Sequence, residues 1–270
     1  QVTWIPGYMH SRYVDWVQNL AWDWCISRQR FYGVPFPVWH CTGCAYVVTA
    51  PEGMLPVDPT ESSAPIATCP SCNGNIFVGE TDVMDTWNIS SLTPQLNHQS
   101  EPAVTMPMSL RPQAHDIIRT WAFYTILKSY FDTGSIPWHT IAISGHVTQG
   151  SGKISKSTGG SALTPEHLLA TYSADAIRYW TAKGAPGVDT AFSEKKLKNG
   201  GRLVTKLWNA FRFITEHVTE KPAPTAEYDA INSWLWNKLL IMQTSYESEM
   251  ELYNYARALE QVEQFFWRDF

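Results

Sequence analysis

The sequence predicts an α/β fold that carries a cysteine-rich insertion and runs on into an all-α region. Three observations lead there. An apolar helical stretch, Ile117 to Phe131, is followed by a strand pattern, Trp138 to Ser144, and then by a loop of small and cationic residues, Gly152-Lys153-Ile154-Ser155-Lys156-Ser157. Ligand loops placed after strands are the habit of α/β sheets. Four of the five cysteines fall in two C-x-x-C knuckles, and from Pro165 onward the apolar spacing is helical.

Taken in order, residues 2–6 read as a short strand and 10–20 as an amphipathic helix carrying Tyr13, Val14, Trp16, Val17 and Leu20. The mixed segment Asp23-Trp24-Cys25-Ile26-Ser27-Arg28-Gln29-Arg30 leads through Gly33 and Pro35 into a strand over 34–39. The knuckles occupy roughly 40–80, and Asp82-Val83-Met84-Asp85-Thr86-Trp87 comes next. A loop rich in Pro, Ser and Gln is expected from there to about residue 110. A helix should follow Ala114, with His115 or Asp116 at its N-terminal end; Ile117 and Trp121, four apart, share a face. After the strand over 138–144, helices are expected over 165–172, 174–182, 194–217 and 229–268. The chain divides accordingly at 1–164, 165–205 and 206–270, with no repeat or low-complexity tract.

With 270 residues the chain can bury the core of one large or two ordinary domains. Its hydrophobic content of 44% fits a soluble globular protein, and 13 tryptophans are unusually many. There is no apolar run of about 18 residues, so no membrane partner is expected. The start, Gln1-Val2-Thr3-Trp4-Ile5-Pro6, has neither an initiator Met nor a signal segment. The end, Gln264-Phe265-Phe266-Trp267-Arg268-Asp269-Phe270, stops inside an apolar helical pattern. Both ends read as cut, and a cytoplasmic fragment of a longer protein is expected. A net charge of −5 argues against an all-over basic coat for nucleic acid. It leaves room for the local strip Lys195, Lys196, Lys198, Arg202 and Lys206, which reads either as a phosphate-facing strip or as a solvated helix face.

The knuckles are Cys41-Thr42-Gly43-Cys44 and Cys69-Pro70-Ser71-Cys72. Two C-x-x-C turns bring four thiolates to the tetrahedral arrangement that Zn2+ prefers, and four protein ligands leave no open position. The role expected of Cys41, Cys44, Cys69 and Cys72 is therefore structural. Two disulfides are the competing arrangement, disfavoured by the knuckle spacing and the missing secretory segment. Gly43 and the Pro-Ser pair suit the tight turns. His40 is a possible substitute ligand, and Cys25 reads as a small buried hydrophobe.

The lysine loop suits a polyphosphate. Lysine is a compact charge on a flexible stem and can follow a phosphate whose charge shifts during reaction. The same six residues also fit a plain solvated loop. A P-loop is excluded, because Lys153 is followed by Ile154 and the earlier glycine position is Val147. A dinucleotide fingerprint fails for want of a third glycine after Gly150 and Gly152.

Several motifs in a fixed order then resemble one family. They are the Asp23-to-Arg30 segment, the Asp82-to-Trp87 run, His115-Asp116-Ile117-Ile118-Arg119-Thr120-Trp121, and Ile143-Ser144-Gly145-His146 ahead of Lys153-Ile154-Ser155-Lys156-Ser157. Together they resemble the class I aminoacyl-tRNA synthetases, with Ile154 in place of the Met of the Lys-Met-Ser-Lys-Ser signature. The likeness continues through Ser173-Ala174-Asp175-Ala176-Ile177-Arg178-Tyr179-Trp180 and weakens in the last helices. Asp85-Thr86-Trp87-Asn88-Ile89-Ser90-Ser91 and His115-Asp116-Ile117 resemble the valine-specific pattern more than the isoleucine-specific one.

The resemblance implies the C-terminal half of a class I Rossmann-like catalytic domain, with the zinc knuckles as an insertion and an anticodon-binding bundle begun at 206. It implies amino-acid activation by ATP, with Mg2+, and transfer to tRNA(Val). Lys153 and Lys156 take the catalytic role. Gln113 and Asp116 reach the ATP ribose, Gly145, His146 and Val147 lie along the adenine, and Lys156 also binds ATP. Trp87, Ile117 and Trp121 form the valine pocket, or else are plain core residues. The family's other signature, His-x-Gly-His, occurs nowhere in the chain, so the chain alone is expected to be inactive. Rival readings are an isoleucine-specific member, or a zinc-dependent RNA-binding module whose lysines meet only phosphates and whose binding is salt-sensitive.

Overall fold

The computed structural model describes residues 2–101, 103–149, 152–154, 163–218 and 229–270. The first elements are β1 (Thr3–Ile5), α1 (Met9–Asn19), β2 (Ser27–Arg28), β3 (Val38–Cys41), β4 (Val47–Thr49), β5 (Phe77–Gly79) and β6 (Val83–Met84). Next come α2 (Thr86–Ser90), α3 (Thr93–Ser100), β7 (Met108–Ala114), α4 (Phe123–Thr133) and β8 (Trp138–Ser144). The remainder is β9 (Val147–Gln149), β10 (Gly152–Lys153), α5 (Pro165–Thr171), α6 (Ala174–Ala182), β11 (Thr190–Ala191), α7 (Glu194–His217), α8 (Asp229–Glu251) and α9 (Tyr255–Arg268). Two compact units share these elements. One is built mainly from Ser11–Ser109 and Ile117–His139, the other from Thr3–His10, Leu110–Asp116 and Thr140–Phe270. No helix among the described residues is long and apolar enough to cross a membrane.

The first unit contains the knuckle sheet, of order β4-β3-β5, with every pair antiparallel. Trp39, at the centre of β3, is 1% exposed, and its indole N–H donates to the Ser62 carbonyl at 2.9 Å. The short β2–β6 pair abuts Gly33, where a Cβ would lie 2.4 Å from a Val83 methyl. On α4, Phe123, Tyr124, Thr125 and Ser129 form the buried face, and Trp24 stacks on Tyr124 at 3.6 Å. Gly134, at φ +68°, ends that helix in the left-handed conformation that glycine tolerates best.

In the second unit β8 is the central strand of the order β1-β8-β7, and its pairing with β1 is parallel, Thr3 opposite Thr140 and Ile5 opposite Ala142. Ile141 and Ile143 are buried. Beyond β8, β9 pairs antiparallel with β10 and parallel with β11. Helices α5, α6 and α7 are each opened by a hydroxyl cap: Thr164, Ser173 and Ser193 accept from His167, Ala176 and Lys196 backbone N–H groups. Leu168, Trp180 and Leu197 form their core. Lys183 pairs with Glu263 at 2.6 Å, joining α6 to α9.

The structure departs from the sequence expectations in five places. The strand expected over 34–39 starts at Val38, because Pro35 and Pro37 have no N–H to give a ladder; Pro35 keeps only an isolated bridge to Val83. The expected loop up to residue 110 contains α2 and α3. It is followed by β7, whose buried residues are Arg111 and Gln113 and whose interior holds Pro112. A polar inward face and a proline hide a strand from sequence, and an edge position tolerates both. The helix expected to follow Ala114 begins as a 3-10 turn (His115–Ile117) and a π turn (Ile118–Ala122) before α4. The run 229–268 is two helices, broken at Tyr253 with φ 59°.

At Gly79 an added Cβ would lie 2.1 Å from the Pro59 carbonyl oxygen, backbone against backbone with no rotamer to yield. Gly79→Ala is expected to destabilise the knuckle sheet by about 2–3 kcal/mol. A lower urea midpoint at unchanged slope is the corresponding reading; an unshifted midpoint would contradict this packing.

Candidate functional site

The cysteine cluster is assembled by the β3–β4 hairpin and the turn before β5. The four Sγ atoms lie within 4.8 Å of one another, with Cys41–Cys72 and Cys44–Cys69 each at 3.6 Å. Thiolates held tetrahedrally around a metal at about 2.3 Å stand about 3.8 Å apart, so the cluster fits Zn2+. Each knuckle closes in the same way: Ala45 N–H donates to Cys41 O, and Asn73 N–H to Cys69 O. The left-handed residues are Ala45 and Asn73 (φ 56° and 61°), not Gly43. Gly43 supplies room instead, since a Cβ there would come within 3.3 Å of the Cys72 sulfur. The Tyr46 N–H pulls the Cys44 thiol down to about 7. At Cys72 the Gly74 N–H also lowers the pKa, but the neighbouring thiols Cys44 and Cys41 outweigh it and push it up to about 12. Four thiols this close cannot all ionise without a cation among them. His40 is turned to Glu80 at 3.0 Å and is not in the cluster. Cys25 is exposed rather than buried, with its thiol beside the Ser27 hydroxyl at 3.5 Å.

The three residues expected at an amino-acid pocket lie on α2 and on the irregular turn that precedes α4. Trp87, Ile117 and Trp121 are all half-buried. Trp121 Nε1 donates to the Ser90 carbonyl at 2.9 Å, fastening the π turn to the end of α2. Lys128 from α4 donates to the Asn88 carbonyl at 2.8 Å and also to its side-chain oxygen; burial lowers the lysine pKa. The start of α2 is set by Asp85, which is 5% exposed. Its Oδ1 accepts from Trp87 N–H at 2.9 Å and its Oδ2 pairs with Arg28 at 2.9 Å. Arg28 in turn donates to the Cys25 and Ser27 carbonyls, both at 2.6 Å. Sequence reading passed over Asp85, Asn88 and Lys128 and left Arg28 without a role. Asp85 was findable as an N-cap one residue before a helix start.

The residues expected at a nucleotide gather at the ends of β7 and β8. Gln113 is buried, and its side-chain oxygen has no hydrogen-bond partner among the described residues. Asp116 lies in the 3-10 turn and is exposed. Gly145 and His146 bridge β8 to β9, and Val147 opens β9. Ser144 Oγ reaches the Gln113 carbonyl at 3.5 Å, and the His115 and His146 rings meet edge-on at 4.3 Å. The end of β7 with its turn and the loop after β8 thus adjoin. Lys153 is placed by its backbone in β10, opposite Thr148. Lys156 lies outside the described residues. Sequence reading missed Asp189, which touches both arms: its Oδ1 accepts from His146 N–H at 2.7 Å and from His115 Nε2 at 3.1 Å.

A parallel strand pair with loops gathered at its strand ends is the frame of an α/β ligand-binding domain. Residues 1–193 match the family described as tRNA synthetases class I (I, L, M and V), and the chain belongs to that family. Among curated relatives, the valine–tRNA ligase of Methanothermobacter thermautotrophicus is 44% identical over 275 residues, covering 100% of this chain and 31% of that protein. That of Ehrlichia ruminantium is 42% identical over 278 residues (100% and 33%), and that of Archaeoglobus fulgidus 39% over 274 (100% and 32%). The chain spans about a third of the length of these relatives. The crystal structure of an Agrobacterium radiobacter LeuRS–tRNA–LeuAMS ternary complex shares the fold at a TM-score of 0.71 and 18% identity, over 95% of this chain and 38% of that one.

Cys41→Ser should abolish stoichiometric zinc in the purified protein and melt the knuckle sheet, read by metal analysis and by amide exchange over 38–79; full zinc retention would contradict a four-thiolate site. Asp85→Ala removes the cap of α2 and the carboxylate partner of Arg28, whose side chain is 30% exposed. About 2–4 kcal/mol of lost stability is expected in denaturant titration, less than for a fully buried pair.

Proposed function

We propose that the chain forms the Lys-Ile-Ser-Lys-Ser portion of the catalytic domain of a cytoplasmic valine–tRNA ligase. In this reading 1–164 is catalytic domain, 165–205 a connecting helical region and 206–270 the start of an anticodon-binding bundle. The reading is carried by the convergence of Gln113, Asp116, Gly145 and His146 at the ends of β7 and β8, directly ahead of Lys153. The names of the relatives support valine as the amino acid.

The valine carboxylate attacks the α-phosphate of ATP and pyrophosphate leaves with the bond electrons. Charge accumulates on the leaving phosphates, where Lys153 and Lys156, with Mg2+, stabilise it. Gln113 offers a carbonyl oxygen and Asp116 a carboxylate to the ribose hydroxyls, which donate. An orphaned buried acceptor such as Gln113 Oε1 costs about 1–3 kcal/mol until a donor reaches it. Trp87, Ile117 and Trp121 offer valine an apolar wall. Such a wall cannot strongly reject threonine, which has nearly the same shape, and valine-charging enzymes are the standard illustration of that limit. The aminoacyl group then passes from the adenylate to the terminal ribose of tRNA(Val). Zinc, which Cys41, Cys44, Cys69 and Cys72 would hold with no open position, would serve the fold of the knuckle rather than these steps.

Amino-acid-dependent ATP–pyrophosphate exchange tests the reading. The longer natural protein is expected to exchange best with valine, weakly with threonine, and the 270-residue chain, which contains no His-x-Gly-His, not at all. Lys156→Ala in the longer protein should lower the exchange rate by about 10²–10³. Preference for isoleucine would reassign the substrate; silence with every amino acid, together with salt-sensitive RNA binding, would leave a zinc module without catalysis.

A further inference from the structure

After α6 the chain turns back and runs alongside the end of β8 and the whole of β9. Gly187 N–H donates to Ile143 O at 2.7 Å, Thr190 N–H to His146 O at 2.8 Å, and Phe192 N–H to Thr148 O at 2.8 Å. The approach is as close as backbones allow. A Cβ at Gly145 would lie 2.3 Å from the Val188 carbonyl carbon. Gly187 sits at φ +76°, and a Cβ there would lie 2.3 Å from the Tyr8 hydroxyl, which donates to the Gly187 carbonyl at 3.0 Å. The strap over 187–192 is therefore anchored at both ends of the loop that joins β8 to β9.

We propose that Asp189, at the middle of this strap, is a positioning residue for the nucleotide site. The proposal rests on the reading of 113–116 and 145–147 as that site. One carboxylate oxygen takes both the backbone N–H of His146 and the ring N–H of His115. Carboxylate oxygens only accept, so His115 Nε2 carries the proton. That single oxygen ties the end of β7, where Gln113 lies in the strand and Asp116 in the turn that follows, to the loop after β8, which bears Gly145 and His146 and leads into Val147. The ring contact between His115 and His146 closes the triangle. The His146 N–H, and after it the His115 ring, hold the Asp189 carboxyl below the usual carboxylate range, so the acceptor stays ionised at neutral pH. A negative charge makes a poor ligand for a polyphosphate. Its effect on ATP runs through the two arms it joins.

Acceptance is the property that matters, and asparagine retains an acceptor oxygen. Three variants of the longer natural protein, Asp189→Ala, Asp189→Asn and His115→Ala, separate the possibilities in ATP–pyrophosphate exchange. Asp189→Ala is expected to raise the KM for ATP about tenfold or more, the scale of a lost charge-assisted hydrogen bond, while the KM for valine stays within about twofold. Asp189→Asn should recover most of the ATP affinity. His115→Ala should raise the ATP KM less, and combining it with Asp189→Ala should add little. Amide exchange at His146 gives an independent readout: protection should fall about tenfold in Asp189→Ala and return in Asp189→Asn. An active parent enzyme with an unchanged ATP KM in Asp189→Ala would overturn the proposal, as would an equal rise in both KM values. A parent enzyme silent with every amino acid would instead sink the nucleotide reading, and the proposal with it. If Asp189→Ala does not fold, an unchanged ATP KM together with an unchanged His146 protection in His115→Ala overturns it equally.

Discussion

The burial of β8 between β1 and β7 is the constraint on which the loops at the ends of these strands depend. Ile141 and Ile143 are at most 1% exposed, and the parallel register with β1 leaves this strand no freedom to slide. A slip of one residue would turn its apolar side chains to the other face. Because β8 cannot move, the loop at its end is delivered to a fixed point. The strap over 187–192 then meets that point with backbone hydrogen bonds rather than side-chain ones. A loop at a strand end is in general among the least stable parts of a fold. Here it is backed by a second stretch of chain held at van der Waals limit.

The same device recurs at the other candidate site. Asp85 and Asp189 are each a carboxylate that accepts one backbone N–H with an oxygen and joins a second partner with the same group, Arg28 in one case and His115 in the other. One aims the helix that bears Trp87; the other aims the loop that bears His146. They differ in setting. Asp85 is buried and its partner contributes to stability, whereas half of the Asp189 side chain is exposed, so its contribution is to geometry. The irregular turn ahead of α4 follows the same logic. A π turn at Ile118–Ala122 rotates Trp121 relative to a regular helix and lets its indole reach Ser90.

The knuckle sheet is held differently. Its strands are only 3 to 4 residues long, and its buried apolar set is little more than Trp39 and Val48 with two of the cysteines. So small a core does not sustain a sheet without a covalent or metal staple. Four thiols that repel one another when ionised and would cohere around a dication are suited to supply it.

The sequence by itself determined what depends on neighbours in the chain. The knuckles at 41–44 and 69–72, the strand over 138–144 and the helices over 174–182 and 194–217 are local patterns, and the structure repeats them. The ordered motifs likewise made the family legible. Only the tertiary structure decided what depends on distant partners. β7 hides behind Pro112 and an inward Arg111 and Gln113, because an edge strand beside β8 accepts residues that periodicity reads as loop. The break at Tyr253 turns one apolar run into two helices that pack on each other. Asp189 stands 74 residues from His115 and 43 from His146, so no spacing rule connects them. Hydrogen-bond acceptance has no period along a chain, and which donors a carboxylate meets is settled only when strand ends are brought together.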